Sequence, residues 1–106
     1  MKNSHCVIIV LTLASTSLAH AGSSTDIADQ LGQVLGSEQG CGLDYDKNAI
    51  EHFISEHVDA GDMDFTNSLG LETRVMERQI KQMSQSSLAA HCTQIRRVAK
   101  QNGFIK

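Results

Sequence analysis

Cys41, Cys92, His52, His57 and His91 are the side chains with the most chemistry to offer in this sequence. A reactive thiol needs an unpaired cysteine with a lowered pKa. His91 adjoins Cys92, but neighbours in a helix point to different sides, so the imidazole is poorly placed to activate that sulfur. His52 and Glu56 stand at i, i+4 and could share a metal. His57 lies five residues beyond His52, about 140° round a helix, so the two imidazoles diverge. The metalloprotease arrangement, paired histidines at i, i+4 with an intervening Glu, is missing. Asp44, Asp46 and Asn48 place oxygens at positions 1, 3 and 5 of a calcium loop, but Ala49 stands where glycine is required and Ser55 where the bidentate Glu belongs. The same residues make an ordinary helix N-cap, the preferred reading. Ser84, Ser86 and Ser87 read as a polar turn rather than part of a triad. A glycine-rich phosphate loop, a nucleophile elbow and a carboxylate pair in an apolar setting are all missing. The expectation is therefore no catalytic, cofactor or metal site. The alternative is an enzyme whose site goes unrecognised, with His57, His91 and the acids as its acid–base groups.

The first residues of the 106-residue chain read as an address. Lys2 supplies a positive start, Cys6 to Leu13 a short apolar run, and Ala19-His20-Ala21 a small-x-small cleavage site. The run meets Ser15, Thr16 and Ser17 too soon for a membrane span, which needs about 20 apolar residues. Residues 1–21 are expected to leave as a secretory signal peptide, taking Cys6 with them and leaving a domain of residues 22–106. The remaining pair, Cys41 and Cys92, would sit in an oxidising compartment, periplasmic or extracellular, where paired thiols persist. A Cys41–Cys92 disulfide is the expectation. It suits a small chain with no Trp and only Phe53, Phe65, Phe104 and Tyr45 as aromatics in that domain.

Charge divides along the chain. From Gly22 to Asp64 there are ten acids against Lys47, a net −9, whereas Phe65 to Lys106 carries seven bases against Glu72 and Glu77, a net +5. Acidic front helices are accordingly expected beside basic back helices, within one subunit or between the two subunits of a dimer. The basic face of Arg96, Arg97 and Lys100 lacks interleaved aromatics and belongs to an exported chain, which argues against nucleic acid.

The elements that would position these residues are helices. Ile27, Leu31, Val34 and Leu35 mark the first, capped by Ser24 or Thr25 and ended by Gly36. Ser37 to Leu43 is a glycine-rich connection in which Gly40 and Gly42 flank Cys41. A second helix, capped by Asp44 or Asp46, carries Ile50, Phe53, Ile54, His57 and Val58 on one face and stops at Ala60-Gly61. The third opens at Asp62 and Asp64, with Phe65, Leu69, Met76, Ile80 and Met83 in a stripe that Leu71 and Val75 widen. Gly70 marks a weak point there, a kink or a close helix crossing. After a turn over Gln82 to Ser87, the fourth helix has Leu88, Cys92, Ile95 and Ala99 on its inner stripe. Asn102-Gly103 is its stop, with Phe104 and Ile105 folding back. The pattern is all-α: one small domain of about four helices closed by one disulfide.

The pattern G-C-G-L-x-Y-D around Cys41, with A-H-C-x-Q-x-R-R-x-A-x-x-x-G-F from Ala90 to Phe104, resembles that of short exported two-cysteine helical proteins of alphaproteobacteria. The resemblance implies an envelope protein, not a reaction. More loosely, the plan is similar to the periplasmic acid-stress chaperones of the HdeA type. Those are small, helical and held by one disulfide, and the likeness implies an acid-responsive chaperone as an alternative. In that alternative, carboxylates protonate below about pH 4 while Arg and Lys stay charged, so acid–base pairing between helices is lost. The leading expectation is a non-enzymatic, exported helical binding protein of the bacterial cell envelope. Its partner would be an envelope or secreted protein.

Overall fold

The computed structural model describes residues 23–106, and the expected signal peptide, residues 1–21, lies outside them. Four α-helices follow in order: α1 (Ser24–Gly36), α2 (Lys47–His57), α3 (Phe65–Gln82) and α4 (Gln85–Gln101). The described residues include no strand, and no helix among them is long and apolar enough to cross a membrane.

Ser23, one residue earlier than expected, caps α1: its Oγ accepts the Asp26 N–H at 3.3 Å. Helix α1 packs chiefly on α3, and glycines govern that contact. A Cβ added at Gly32 would lie 2.5 Å from Glu72 Cβ, one at Gly36 2.5 Å from the Thr73 carbonyl oxygen, and one at Gly40 2.5 Å from Ile80 Cγ2. Gly32 and Gly36, four residues apart on α1, form one face without side chains against which α3 lies, and Gly40, in the turn beyond α1, meets the same helix. This corrects the placing of the close crossing at Gly70, whose added Cβ would meet only Arg74 Nη1, at 3.6 Å.

Past α1 the chain makes a further tight turn that carries Cys41. Leu43 N–H donates to the Glu38 carbonyl at 2.8 Å and Gly42 N–H to that of Gln39 at 3.1 Å. Gly42 takes φ +65°, the left-handed conformation this double closure demands. Cys41 thereby reaches α4, and the Cys41–Cys92 disulfide joins them with a Cα–Cα distance of 5.3 Å.

Asp46 caps α2, its Oδ1 accepting the N–H groups of Asn48 at 2.9 Å and Ala49 at 3.4 Å. The helix stops at His57, three residues short of Ala60-Gly61, because Val58 is already extended (φ −120°, ψ 131°). Asp64 precedes α3 without a side-chain cap bond. Within α3 Phe65, Met76 and Ile80 are buried, whereas Leu71 is 52% exposed and does not widen the stripe. The turn into α4 is shorter than expected. Ser84 Oγ accepts the Ser87 N–H at 3.2 Å, so the helix starts at Gln85 and only Met83 and Ser84 link the two helices.

Helix α4 buries Cys92, Ile95 and Ala99, and its end follows the expected glycine stop. Gly103 has φ +76°, its N–H donates to the Lys100 carbonyl at 3.1 Å, and Phe104 N–H donates to the Ala99 carbonyl at 2.8 Å. Phe104, 1% exposed, folds back into a core that includes Leu31, Val34, Tyr45, Phe65 and Ile95. Its carbonyl accepts the Asp46 N–H at 2.8 Å, and its ring meets that of Phe53 edge-on at 5.7 Å. Those contacts tie down α2, which has no fully buried residue of its own.

Candidate binding groove

The residue types that could do chemistry are dispersed. His52 pairs with Glu56 at 3.0 Å on an exposed surface. His57 is exposed instead of lying at the edge of the core: its ring stacks on Phe53 at 4.3 Å and its Nδ1 donates to the Phe53 carbonyl at 2.8 Å. No three metal-ligating side chains gather among the described residues. The half calcium loop resolves into the Asp46 helix cap and a buried Tyr45. Ser84 Oγ lies 3.0 Å from Ser87 Oγ, a local turn bond.

His91 does meet a hydroxyl, that of Ser37, with Nε2 2.8 Å from Oγ. Ser37 is completely buried and its O–H donates to the Gln33 carbonyl at 2.6 Å. Oγ can then only accept from His91, so the imidazole is a donor here and not the base that a nucleophilic serine needs. The pair instead bolts the end of α1 to α4 beside the disulfide.

Tyr45 is the other polar anchor. Its O–H donates to the Val34 carbonyl at 2.8 Å, and its backbone N–H donates to Glu38 Oε2 at 2.7 Å. Burial, then the nearby Glu38 carboxylate, pushes its phenol pKa up from 10.0 to about 12. Neither Ser37 nor Tyr45 stands out in the sequence as a polar core residue. The one available signal is that Tyr45 is the single tyrosine and sits just after the cysteine turn.

The acidic and basic halves do not pair. No Lys or Arg pairs with a carboxylate among the described residues, where the one acid–base contact is His52 with Glu56 inside α2, and Arg96, Arg97 and Lys100 lie exposed, with Arg97 Nη1 donating to Gln94 Oε1 at 3.3 Å. An acidic front helix does lie beside a basic back helix, since α1 with Asp26 and Asp29 packs on α3 with Arg74, Arg78 and Lys81, but no ion pair joins them among the described residues. Glycine packing, not charge, decides which faces of α1 and α3 meet.

A groove opens where α2 passes into α3. Ile54 of α2 and Val58 just beyond its end face Phe65 and Met63 across a cavity of about 410 Å³, and Asp59 and Asp62 stand on its rim. The link between the helices is ordered by its own acids. Asp59 Oδ1 accepts the Gly61 N–H at 3.2 Å and Asp62 Oδ1 the Asp64 N–H at 3.1 Å, while Asp62 N–H donates to the Asp59 carbonyl at 3.0 Å. Met63, 80% exposed, is held out at the lip. A volume of this size, apolar inside with a few polar groups at its edge, fits the general form of a binding site. A second cavity, about 350 Å³, lies over the disulfide between Leu88, Ala89 and Arg96. It offers a smaller apolar surface. The chain matches no family model, no curated protein and no solved structure.

Proposed function

We propose that this chain is a non-enzymatic, exported binding module of the bacterial cell envelope that meets a protein partner through the groove between α2 and α3. The observation that carries the reading is the groove itself: half-buried Ile54 and Val58 and exposed Met63 leave apolar surface open over the buried ring of Phe65, beside a link held by its own hydrogen bonds. Export is supported by the leader-like residues 1–21 and by the disulfide, which persists where thiols are not kept reduced. The donor role of His91 toward Ser37 supports a binding function over a catalytic one. The acid-chaperone alternative rests on ion pairs between helices, which the described residues do not make.

The test is a photo-crosslinking amino acid placed at position 63 in the protein expressed at native abundance in the envelope. A discrete adduct that is absent when the same group stands at exposed Thr93, on α4, is the expected result. No adduct at position 63, or equal labelling at both positions, overturns the reading.

A further inference from the structure

The groove carries a single sign of charge on its rim, and that sign selects its occupant. The link from Val58 to Asp64 holds Asp59, Asp62 and Asp64 and no base, and α2 adds Glu51 and Glu56. The one base of α2, Lys47, is at its far end, about 15 Å from His57 along the helix axis, which exceeds the screening length of roughly 8 Å at physiological salt. The first base of α3 is Arg74, about 14 Å along from Phe65. On the side toward α1 the neighbours are Ser24, Thr25 and Ser68, again without a cation. Asp59 and Asp62 each spend one oxygen on the turn, and among the described residues the other oxygen has no hydrogen-bond or ion-pair partner. The turn bonds fix where those free oxygens point.

We infer that the groove takes a basic segment of a partner protein, one that sets an apolar side chain among Ile54, Val58 and Phe65 and brings Lys or Arg to Asp59 and Asp62. This rests on the binding-module reading and adds the chemistry of the partner. A second copy of the chain fits poorly. Two grooves facing each other across a two-fold axis bring Asp59 and Asp62 against their own counterparts. The basic face of α4 has the right sign, but around Arg96, Arg97 and Lys100 its exposed side chains are Thr93, Gln94 and Gln101, with Leu88 and Val98 half-buried in their own chain. It therefore lacks an anchor for the cavity. Anionic lipid is excluded by sign.

The experiment titrates the isotope-labelled, disulfide-intact protein with three synthetic amphipathic peptides that share Leu and Phe anchors and differ only in flanking Lys/Arg, Ser or Glu. The Lys/Arg peptide should move the amide signals of Ile54, Val58, Met63 and Phe65 and bind more tightly than the other two. Raising salt from about 50 mM to about 500 mM should weaken it, because exposed pairs are screened. Asp59→Asn with Asp62→Asn keeps an acceptor oxygen for each turn and should weaken the Lys/Arg peptide roughly 3- to 10-fold, as expected for two exposed charge pairs. Met63→Ser, at a residue already in solvent, should weaken all peptides that bind without lowering the melting temperature. The inference is overturned by equal or tighter binding of the Glu peptide, by shifts centred away from the groove, or by peptide-free self-association at these residues. Failure of the Lys/Arg peptide to bind also overturns it. If the Ser or Glu peptide fills the groove, the basic occupant falls and the binding module stands. Absence of any position-63 adduct in the envelope removes the module itself.

Discussion

Ser37 Oγ sits 2.8 Å from Nε2 of His91 and 2.6 Å from the carbonyl oxygen of Gln33, so one buried hydroxyl joins the end of α1 to the second turn of α4. Ser37→Ala removes both bonds and should cost about 1–2 kcal/mol. His91→Ala leaves the Gln33 bond in place and should cost less, below about 1 kcal/mol. Urea denaturation of both variants checks this: the midpoint should fall with the slope unchanged. Full stability in Ser37→Ala would show that the hydroxyl contributes nothing to the fold.

The glycines make opposite predictions at two positions. Gly36→Ala would place its methyl 2.5 Å from the Thr73 carbonyl oxygen and 2.7 Å from Met76 Cβ. The helix-propensity gain of about 1 kcal/mol should be outweighed by about 1–3 kcal/mol of overpacking. Gly70→Ala meets nothing closer than Arg74 Nη1 at 3.6 Å and should stabilise by up to about 1 kcal/mol. Thermal denaturation of the two variants should move in opposite directions.

Reduction of Cys41–Cys92 opens a loop whose ends are 51 residues apart, for which chain entropy gives about 4 kcal/mol as an upper value. Comparing denaturation with and without reductant measures the loss. The intact mass should rise by about 2 Da on reduction, with thiol labelling only afterwards. A denaturation curve indifferent to reductant would mean that the glycine-packed helices hold without the bridge.

Because Tyr45 is the only tyrosine, the tyrosinate absorbance reports on it alone. Its folded-state pKa, about 12, lies above the ordinary value of 10.0, so folding favours the neutral phenol. The stabilisation is therefore complete below about pH 10 and lost as pH rises toward 12. Absorbance should rise near pH 12 in the native protein and near pH 10 in denaturant. Tyr45→Phe should remove the alkaline loss and cost about 1 kcal/mol at neutral pH through the lost bond to the Val34 carbonyl.

Where one residue's chemistry is decided locally, the sequence was a sound guide. The α4 stripe, the Gly103 stop with Phe104 folded behind it, and the Cys41–Cys92 pairing all followed from spacing and residue type. Contacts between distant segments were less legible. Gly36 read as a helix end and Gly40 as a turn residue, and both are; what the sequence did not show is that, with Gly32, they all lie against α3, because Gly40 stands beyond the end of α1 where helical spacing no longer applies. Charge segregation suggested pairing, but burial of Leu31, Phe65 and Ile95 sets how the helices lie, and exposed ion pairs are too weak to override it. The groove escaped notice because its walls come from the end of one helix and the start of the next, where periodicity lapses.

The bond from Asp46 N–H to the Phe104 carbonyl bears on the order of assembly. A chain released N-terminus first presents α1, the cysteine turn and α2 long before Phe104 exists to receive them. During synthesis or passage across a membrane, α2 then has neither its backbone acceptor nor the ring that meets Phe53. Cys41 likewise waits for Cys92. Both closures need residues from Cys92 to Phe104, so neither can be made until α4 and the turn behind it are present, and the domain then shuts at two places together.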